Sequence, residues 1–234
     1  MEQPFYEFLT AFAQKHGDIE WHNHPGNERA VVCIEGTARW FFPTVLRNFR
    51  HFLGEGWNLY LFHTEYNEPF ILEHLGAWEI QRFKVNHPRV NAHVFNVLCK
   101  DLALWSMVKE ENVLVFEADT IACKPWSAEW LQWDMIGAPC GEGGRIYNGG
   151  LSLRRRSKMI EALGRFDALL TDEQEDIFFT KALRIMGARL PNGYDAARFA
   201  VENEYYEQPF GLHGTDKAYI PLTVAEKIVR QIEF

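Results

Sequence analysis

The sequence has no surplus of positive charge: 24 Lys and Arg residues stand against 32 Asp and Glu, a formal net charge of −8. This balance argues against broad binding to nucleic acid or to anionic membrane surfaces, and leaves open only a local basic site. Cysteines are also few, 4 in 234 residues, with no C-x-x-C pair and each in or beside an apolar run. We therefore expect reduced core cysteines rather than a zinc site or a disulfide framework.

Long apolar segments are missing as well. No stretch approaches the length of a membrane span, and the opening residues, MEQPFYEFLTAF, show neither the basic nor the apolar region of a secretory signal. The sequence also shows no internal repeat, low-complexity run or linker. We expect a cytoplasmic protein with a helical N-terminal appendage over residues 1–29, and a single domain over residues 30–234.

What the chain does contain is an alternation of buried-strand and helix patterns. Apolar stripes at helical spacing predict helices over 43–53 and 92–108. Short apolar runs predict strands over 30–36, 57–63, 78–85, 113–116, 133–139 and 148–154. Such an order indicates an α/β fold with a mostly parallel central sheet flanked by helices. The more polar run over 78–85 is expected near an edge of that sheet.

The central element of this pattern is the stretch VLVFEADTIAC, residues 113–123. Its four apolar residues predict a strand buried on both faces, and Glu117 and Asp119 follow at once. Ligands of open α/β sheets bind beyond the carboxyl ends of strands, and paired carboxylates suit a hard divalent cation and its phosphate ligand. A solvated turn after a core strand is the plainer interpretation of an isolated E-x-D.

The end of the first strand offers a second candidate site. By the same rule about strand ends, residues 35–39 are expected beside a nucleotide, with Glu35, Gly36, Thr37 and Arg39 as donor-binding residues. A plain connection into the following helix explains the segment equally well.

Later segments supply further candidates, each with a structural alternative. Trp126, Trp130 and Trp133 could stack on a sugar but more often form a core; Gly149 and Gly150 would let the backbone approach a ligand closely. The basic run 154–156 reads as a solvated helix start or, less favoured, a site for an anionic acceptor.

Capping-box spacing of Thr171 and Gln174 predicts that Glu175 and Asp176 lie in a first helical turn, where the dipole favours ionised acids. His213 and Lys217 lie in a glycine-rich segment that could meet a metal or a phosphate, or form an ordinary loop.

Four elements in order, FEAD (116–119), NGGLSLR (148–154), EDIFF (175–179) and HGTDK (213–217), resemble the glycosyltransferases of the GT-A fold. The sequence is similar, more closely, to a family described as glycosyltransferase-like and otherwise of unknown function. The resemblance implies a Rossmann-like GT-A domain that transfers a sugar from a nucleotide-sugar donor to a glycan or other hydroxyl acceptor. The usual motif begins with Asp, where this chain has Glu117.

The resemblance also implies roles for the residues. Asp119 and His213 would hold Mn²⁺ or Mg²⁺, with Glu117 less directly involved, through a water or the ribose. Asp176 would be the base of an inverting transfer, with Glu175 second. The donor, expected to be a UDP-sugar, and the acceptor sugar would be bound by further residues. For the donor these are Lys100, Glu117, Ala118, Asp119 and Lys217, and for the sugar Asn148, Gly149, Gly150 and Trp126. The competing hypothesis is a nucleotide- or glycan-binding module on the same scaffold that has lost turnover.

Overall fold

The computed structural model describes residues 2–141, 145–168, 172–215 and 222–234. Its main element is a six-stranded sheet. The strands are β1 (Arg29–Glu35), β2 (Trp57–His63), β3 (Gln81–Lys84), β4 (Asn112–Phe116), β6 (Met135–Cys140) and β7 (Ile146–Arg155). Three shorter strands form a second sheet: β5 (Ile121–Ala122), β8 (Ala200–Val201) and β9 (Gly211–Leu212).

The six-stranded sheet has the order β3-β2-β1-β4-β7-β6. Strands β1 to β4 pair in parallel, while β7 runs antiparallel to both of its neighbours. The expected mostly parallel α/β sheet is therefore confirmed, and the polar strand β3 lies at an edge as expected.

Helices cover both faces of this sheet. The α-helices are α1 (Glu2–His16), α2 (Phe42–Leu53), α3 (Glu68–Leu75), α4 (Ala92–Cys99), α5 (Leu102–Met107), α6 (Arg156–Arg165), α7 (Glu175–Ile185), α8 (Gly193–Phe199) and α9 (Leu222–Val229). A short 3₁₀ helix spans Ala128–Gln132. Among the described helices, none combines the length and apolarity that a membrane crossing requires.

The core consists of two apolar clusters, one on each face. Alternate side chains of β4 point to opposite sides, so Leu114 and Phe116 join one cluster while Val113 and Val115 join the other. The rings of Phe116 and Phe49 stack with centroids 3.8 Å apart, which fixes α2 against the central strand. Burial on both faces is what the continuous apolar run predicted.

The expected N-terminal helix is present as α1. Its apolar stripe, Phe5, Phe8, Leu9 and Phe12, is buried in the same cluster as the inner face of α2. The helix thus packs on the main core, and the separation of residues 1–29 as an appendage remains a prediction.

The structure differs from the sequence-based expectations at three places. The helix expected over 92–108 is two helices, because Asp101 breaks it and caps α5 by accepting a hydrogen bond from the Ala103 N–H at 2.8 Å. Helix α3 was not predicted. The tryptophans after Pro125 stand at helical spacing and predict a short helix from that residue, but the structure has a 3₁₀ turn that begins only at Ala128.

Candidate functional site

A cleft of about 460 Å³ lies at the carboxyl ends of β1 and β4. It is lined by residues 34–36 and 39, 90–92, 95 and 96, 117–119, 148–150, 174–176, 202 and 213. Six of these described residues are acids, whereas Arg39 and His213 are the basic ones, so the cleft carries a negative field. The location is the one that parallel strands favour for a ligand.

A larger cavity, about 690 Å³, lies at the opposite edge of the sheet. Its buried polar groups satisfy one another. The Asn58 amide donates to Glu110 at 2.6 Å and accepts from the His24 N–H at 2.8 Å and the Asn27 amide at 2.9 Å. These polar groups hold the loop over residues 23–27 in place. The lining of this cavity is therefore a structural polar network.

Glu117, Asp119 and His213 converge on one point of the carboxyl-end cleft. One ligand atom from each lies within 4.8 Å of the other two. The Glu117 N–H donates to the Gly150 carbonyl at 2.8 Å, and the Asp119 carbonyl accepts from the Thr215 hydroxyl at 2.8 Å. Backbone bonds therefore fix the loop after β4 on both sides, and the donor set, two carboxylates and an imidazole, fits a divalent cation.

His213 is held between carboxylates. Its Nε2 lies 3.7 Å from Asp119 Oδ1 and its Nδ1 lies 3.3 Å from Glu202 Oε1. Burial by itself lowers the pKa of His213, but the adjacent Glu202 carboxylate and the charges of Asp119 and Glu117 outweigh it and raise the pKa to about 9. The imidazole site thus strongly favours a positive charge.

Gly149 and Gly150 make room for two protein side chains. A Cβ at Gly149 would overlap the Glu175 carboxylate, and a Cβ at Gly150 would overlap the His213 ring. Both glycines line the cleft, but their missing side chains leave room for these two protein groups, in addition to any ligand. Glycine is required here by close side-chain approach.

Glu175 forms a buried ion pair with Arg154. Two parallel bonds join them, Nη1 to Oε2 at 2.6 Å and Nη2 to Oε1 at 2.8 Å, and Arg154 Nε donates to the Ser152 hydroxyl at 2.8 Å. The Arg154 side chain is 0% exposed, so its interpretation as part of a solvated basic run is wrong. Arg154 lies on the long strand β7. Its side chain points inward, where it pairs with Glu175.

Asp176 is buried on the cleft wall, where its Oδ1 accepts a hydrogen bond from the Ile177 N–H at 2.7 Å. Burial, and next the neighbouring charge of Glu175, raise the pKa of Asp176 to about 6. We expected the helix dipole to dominate; instead desolvation does. The carboxylate is still the main form at pH 7, and it is more basic than an ordinary Asp.

A family model described as "Protein of unknown function (DUF5672)" matches residues 77–213. The chain belongs to this family. No curated protein matches the sequence.

The DUF5672 chain also has the fold of solved glycosyltransferases. The apo form of the glycosyltransferase GlyE from Streptococcus pneumoniae TIGR4 is 13% identical, with a TM-score of 0.53 over 84% of this chain and 55% of that one. The mannosyltransferase PcManGT from Pyrobaculum calidifontis, solved with GDP-Man and Mn²⁺, is 15% identical, with a TM-score of 0.48 over 81% of this chain and 62% of that one. The chain therefore spans little more than half the length of these structures, and the likeness to GlyE is one of fold.

The DUF5672 segment contains most of the cleft. It includes the acids after β4, both acids of α7, Glu202, and, at its last residue, His213. The end of β1 precedes it and supplies Glu35, Gly36 and Arg39 to the cleft. Glu35 there accepts hydrogen bonds from the Thr37 N–H at 2.7 Å and hydroxyl at 2.6 Å. Ala118 and Asn148 also line the cleft, as predicted donor and sugar residues would.

Three predicted binding residues of the described chain do not line the cleft: Thr37, whose N–H and hydroxyl bond to Glu35, Lys100 and Trp126. Lys100 donates to the Glu173 carbonyl at 2.9 Å, where it braces the segment before α7. Trp126 packs edge to face on Trp57, with centroids 4.9 Å apart, in line with the core interpretation of the tryptophan stripe. Lys217, like the capping residue Thr171, lies outside the described residues.

Sequence reasoning missed two residues that shape the cleft. Glu202 contacts His213, and the Asn96 side chain accepts from the Glu175 N–H and so caps the first turn of α7. Asn96 lies on α4, which brings the cap from a helix 79 positions earlier in the chain. No local pattern signals either contact, because both depend on tertiary pairing.

Proposed function

We propose that this protein is a metal-dependent glycosyltransferase that moves a sugar from a UDP-sugar donor to a hydroxyl acceptor with inversion. One observation carries the proposal. The Glu117–Asp119–His213 cluster and the buried Asp176 carboxylate line the same cleft, at the carboxyl edge of a glycosyltransferase-like sheet. A metal-binding set and a basic carboxylate are the two groups that this reaction needs.

Asp119 and His213 would hold the cation, and Glu117 would support it directly or through water or the ribose. A bound Mn²⁺ or Mg²⁺ supplies Lewis-acid stabilisation of the negative charge that develops on the leaving diphosphate. The negative field of the cleft disfavours a diphosphate that enters without the cation, because it would meet six carboxylates and few positively charged groups. Nucleotide binding should therefore depend on the cation.

The donor would extend from that point toward the end of β1. Glu35 is held by its hydrogen bonds to Thr37 and lies 3.4 Å from Arg39 Nε. The end of β1 therefore presents a carboxylate and a guanidinium at fixed positions. A carboxylate accepts bonds from ribose hydroxyls or a base N–H, and a guanidinium donates to phosphate. Gly36 packs against the Val90 backbone and keeps this wall of the cleft narrow.

Asp176 would accept the proton of the acceptor hydroxyl. A carboxyl group with a pKa of about 6 is ionised at pH 7 and still basic enough to take a proton in the transition state. Glu175 lies next to it but is committed to Arg154, so it would orient the first turn of α7. Asp176 is thus our choice between the two acids.

The experiment is a thermal-shift screen of nucleotide sugars, each with and without Mn²⁺, followed by donor-hydrolysis and transfer assays on the donors that bind. A ligand that binds only the folded state raises the melting temperature, by an amount that grows with its concentration over its Kd. We expect stabilisation by a UDP-sugar only when Mn²⁺ is present, and slow hydrolysis of that donor. Asp176→Asn should retain binding and lose turnover, whereas the exposed Asp172→Asn should match the wild type.

The outcomes separate the two hypotheses. Binding without any hydrolysis or transfer would identify a catalytically inactive binding module. No stabilisation by any nucleotide sugar, with or without Mn²⁺, would overturn the proposal. A transfer product with the donor's anomeric configuration would exclude Asp176 as the base of an inverting reaction.

A further inference from the structure

Glu202 lies beside the candidate metal ligand although it has no recognisable motif around it. It follows β8 directly, as His213 follows β9, and these strands pair in parallel with Ala200 opposite Gly211 and Val201 opposite Leu212. The next pair in that register is Glu202 and His213. Aligned residues of a parallel pair point to the same side, so the small sheet delivers this carboxylate to this imidazole.

The backbone fixes this arrangement. The His213 N–H donates to the Val201 carbonyl at 3.0 Å, which continues the ladder of β8 and β9 up to the functional residues. On the other side β5 pairs antiparallel with β9, which sets the loop of Asp119 against the same strand. Strand β9 therefore places His213 between two acids, with Asp119 of the candidate metal cluster on one side and Glu202 on the other.

The side chains are enclosed. Glu202 is 4% exposed and His213 is 3% exposed, and Nδ1 lies 3.3 Å from Glu202 Oε1. The edge of the ring that carries Nε2 faces Gly150, where any Cβ would collide with it. The imidazole is therefore confined to one position. Nδ1, the nitrogen beside the Glu202 carboxylate, faces away from the cation-binding acids.

A carboxylate can only accept a hydrogen bond, so the nitrogen that faces it must carry the proton. With Nδ1 protonated, the lone pair of a neutral ring is on Nε2, the nitrogen 3.7 Å from Asp119 Oδ1. Metal-binding histidines commonly donate their other N–H to a carboxylate, which fixes the tautomer and strengthens the ligand. We propose that Glu202 is a positioning residue that presents His213 Nε2 to the divalent cation. This inference rests on the metal site of the proposed function.

A direct ligand role for Glu202 fits the geometry less well. Among the described residues, the group whose ligand atoms lie within 4.8 Å of one another contains Glu117, Asp119 and His213 but not Glu202. The imidazole separates Glu202 from Asp119. Glu202 should therefore act through His213, and its effect should vanish when His213 is absent.

The test is Mn²⁺ binding without nucleotide, measured by calorimetry and by the loss of the free Mn²⁺ signal in electron paramagnetic resonance. The variants are Glu202→Ala, Glu202→Gln and His213→Ala, with the exposed Glu204→Ala as the matched control from the same loop. We expect Glu202→Ala to weaken Mn²⁺ binding roughly 10- to 100-fold. Glu202→Gln should lose less, because its amide oxygen still accepts from Nδ1, and Glu204→Ala should match the wild type.

The double variant Glu202→Ala/His213→Ala separates positioning from general structural damage. If Glu202 acts through His213, the double variant binds Mn²⁺ as weakly as His213→Ala alone. A further loss in the double variant would overturn the proposal, as would a Glu202→Ala affinity within twofold of Glu204→Ala. Thermal unfolding in EDTA verifies that each variant is folded.

These outcomes are distinguishable from a failure of the proposed function. If the wild type binds Mn²⁺ and Glu202→Ala binds it equally well, the role of Glu202 is refuted but the proposed function is not. Weakened Mn²⁺ binding in a protein that transfers no sugar supports Glu202 and refutes the transferase. A wild type that binds no Mn²⁺ in the absence of nucleotide refutes the role of Glu202, whereas the transferase is refuted only by the nucleotide-sugar screen.

Discussion

Replacing Asp176 by asparagine should stabilise the folded protein at neutral pH even though it removes the proposed base. The carboxyl group is 8% exposed, and burial first, then Glu175, raise its pKa from the ordinary 3.8 to about 6. Asparagine has nearly the same shape, carries no charge, and its amide oxygen can still accept from the Ile177 N–H. The variant therefore removes an unfavourable buried charge while keeping the local contact.

The sign follows from proton linkage. A pKa that is higher in the folded than in the unfolded state means that the folded state binds the proton more tightly. Wild-type stability then falls as the pH rises from about 4 to about 6, and the full cost is present above pH 6. The rise of about two pKa units corresponds to roughly 3 kcal/mol, at about 1.4 kcal/mol for each unit. For a chain of this size that is a rise in melting temperature of about 6–12 °C.

Glu175 offers the opposite case one residue earlier. Its loss would leave the Arg154 guanidinium, 0% exposed, against a neutral group. Removing one member of a buried pair typically costs roughly 3–5 kcal/mol. Glu175→Gln should therefore destabilise the fold while Asp176→Asn stabilises it, although both remove one negative charge from the same helical turn.

The assay is urea unfolding in EDTA at intervals from pH 4 to pH 8, with the exposed Asp172→Asn as the control. The stability difference between Asp176→Asn and the wild type should be near zero at pH 4 and should grow to its plateau by pH 7. A difference that is independent of pH, or a variant less stable than the wild type at pH 7, would refute the reasoning.

Three other variants or complexes test the rest of the site. Asp119→Asn should abolish calorimetric binding of UDP in the presence of Mn²⁺ while the circular dichroism spectrum stays native; unchanged affinity would rule out Asp119 as a ligand. Gly150→Ala forces a Cβ into the His213 ring and should weaken Mn²⁺ binding at least tenfold, by the effect that misplaced ligands have on metal sites. Gly164→Ala, where a Cβ meets open space, is its control and should bind normally. A nucleotide complex should show contacts from residues 35–39, and a structure without any such contact would contradict the assignment of that segment.

The fold could be predicted where the chain is buried on both sides. The strand expected over 57–63 is the observed β2, residue for residue, because every one of its side chains is buried and the apolar run has sharp ends. The boundary at Asp101 was missed since an apolar stripe continues past it, and only the capping bond shows that the helix restarts. Local hydrogen bonding by Asp can override a periodic pattern of this kind.

The site was predictable only where its residues adjoin a strand end. Glu117 and Asp119 follow β4 directly, so the general rule about strand ends reaches them. Arg154 could not be interpreted correctly from a run of three arginines, because its burial depends on Glu175, 21 positions later. Glu202 is likewise one of several acids in its segment, and only the pairing of β8 with β9 singles it out.

The acids of the cleft differ in how their charge is balanced, and this difference connects stability with function. Glu175 has its own buried cation in Arg154, and removing either partner should damage the fold. Asp119 and Glu202 share His213, a weaker and titratable cation. Asp176 is the acid whose carboxyl group burial makes hard to ionise. Charge balance thus decreases from the interior, where it serves folding, toward the cleft, where an added divalent cation would relieve the remaining repulsion. A cation that binds the folded state in this way should raise stability as well as recruit the nucleotide, so that the residues which cost stability in its absence are those on which the proposed reaction depends.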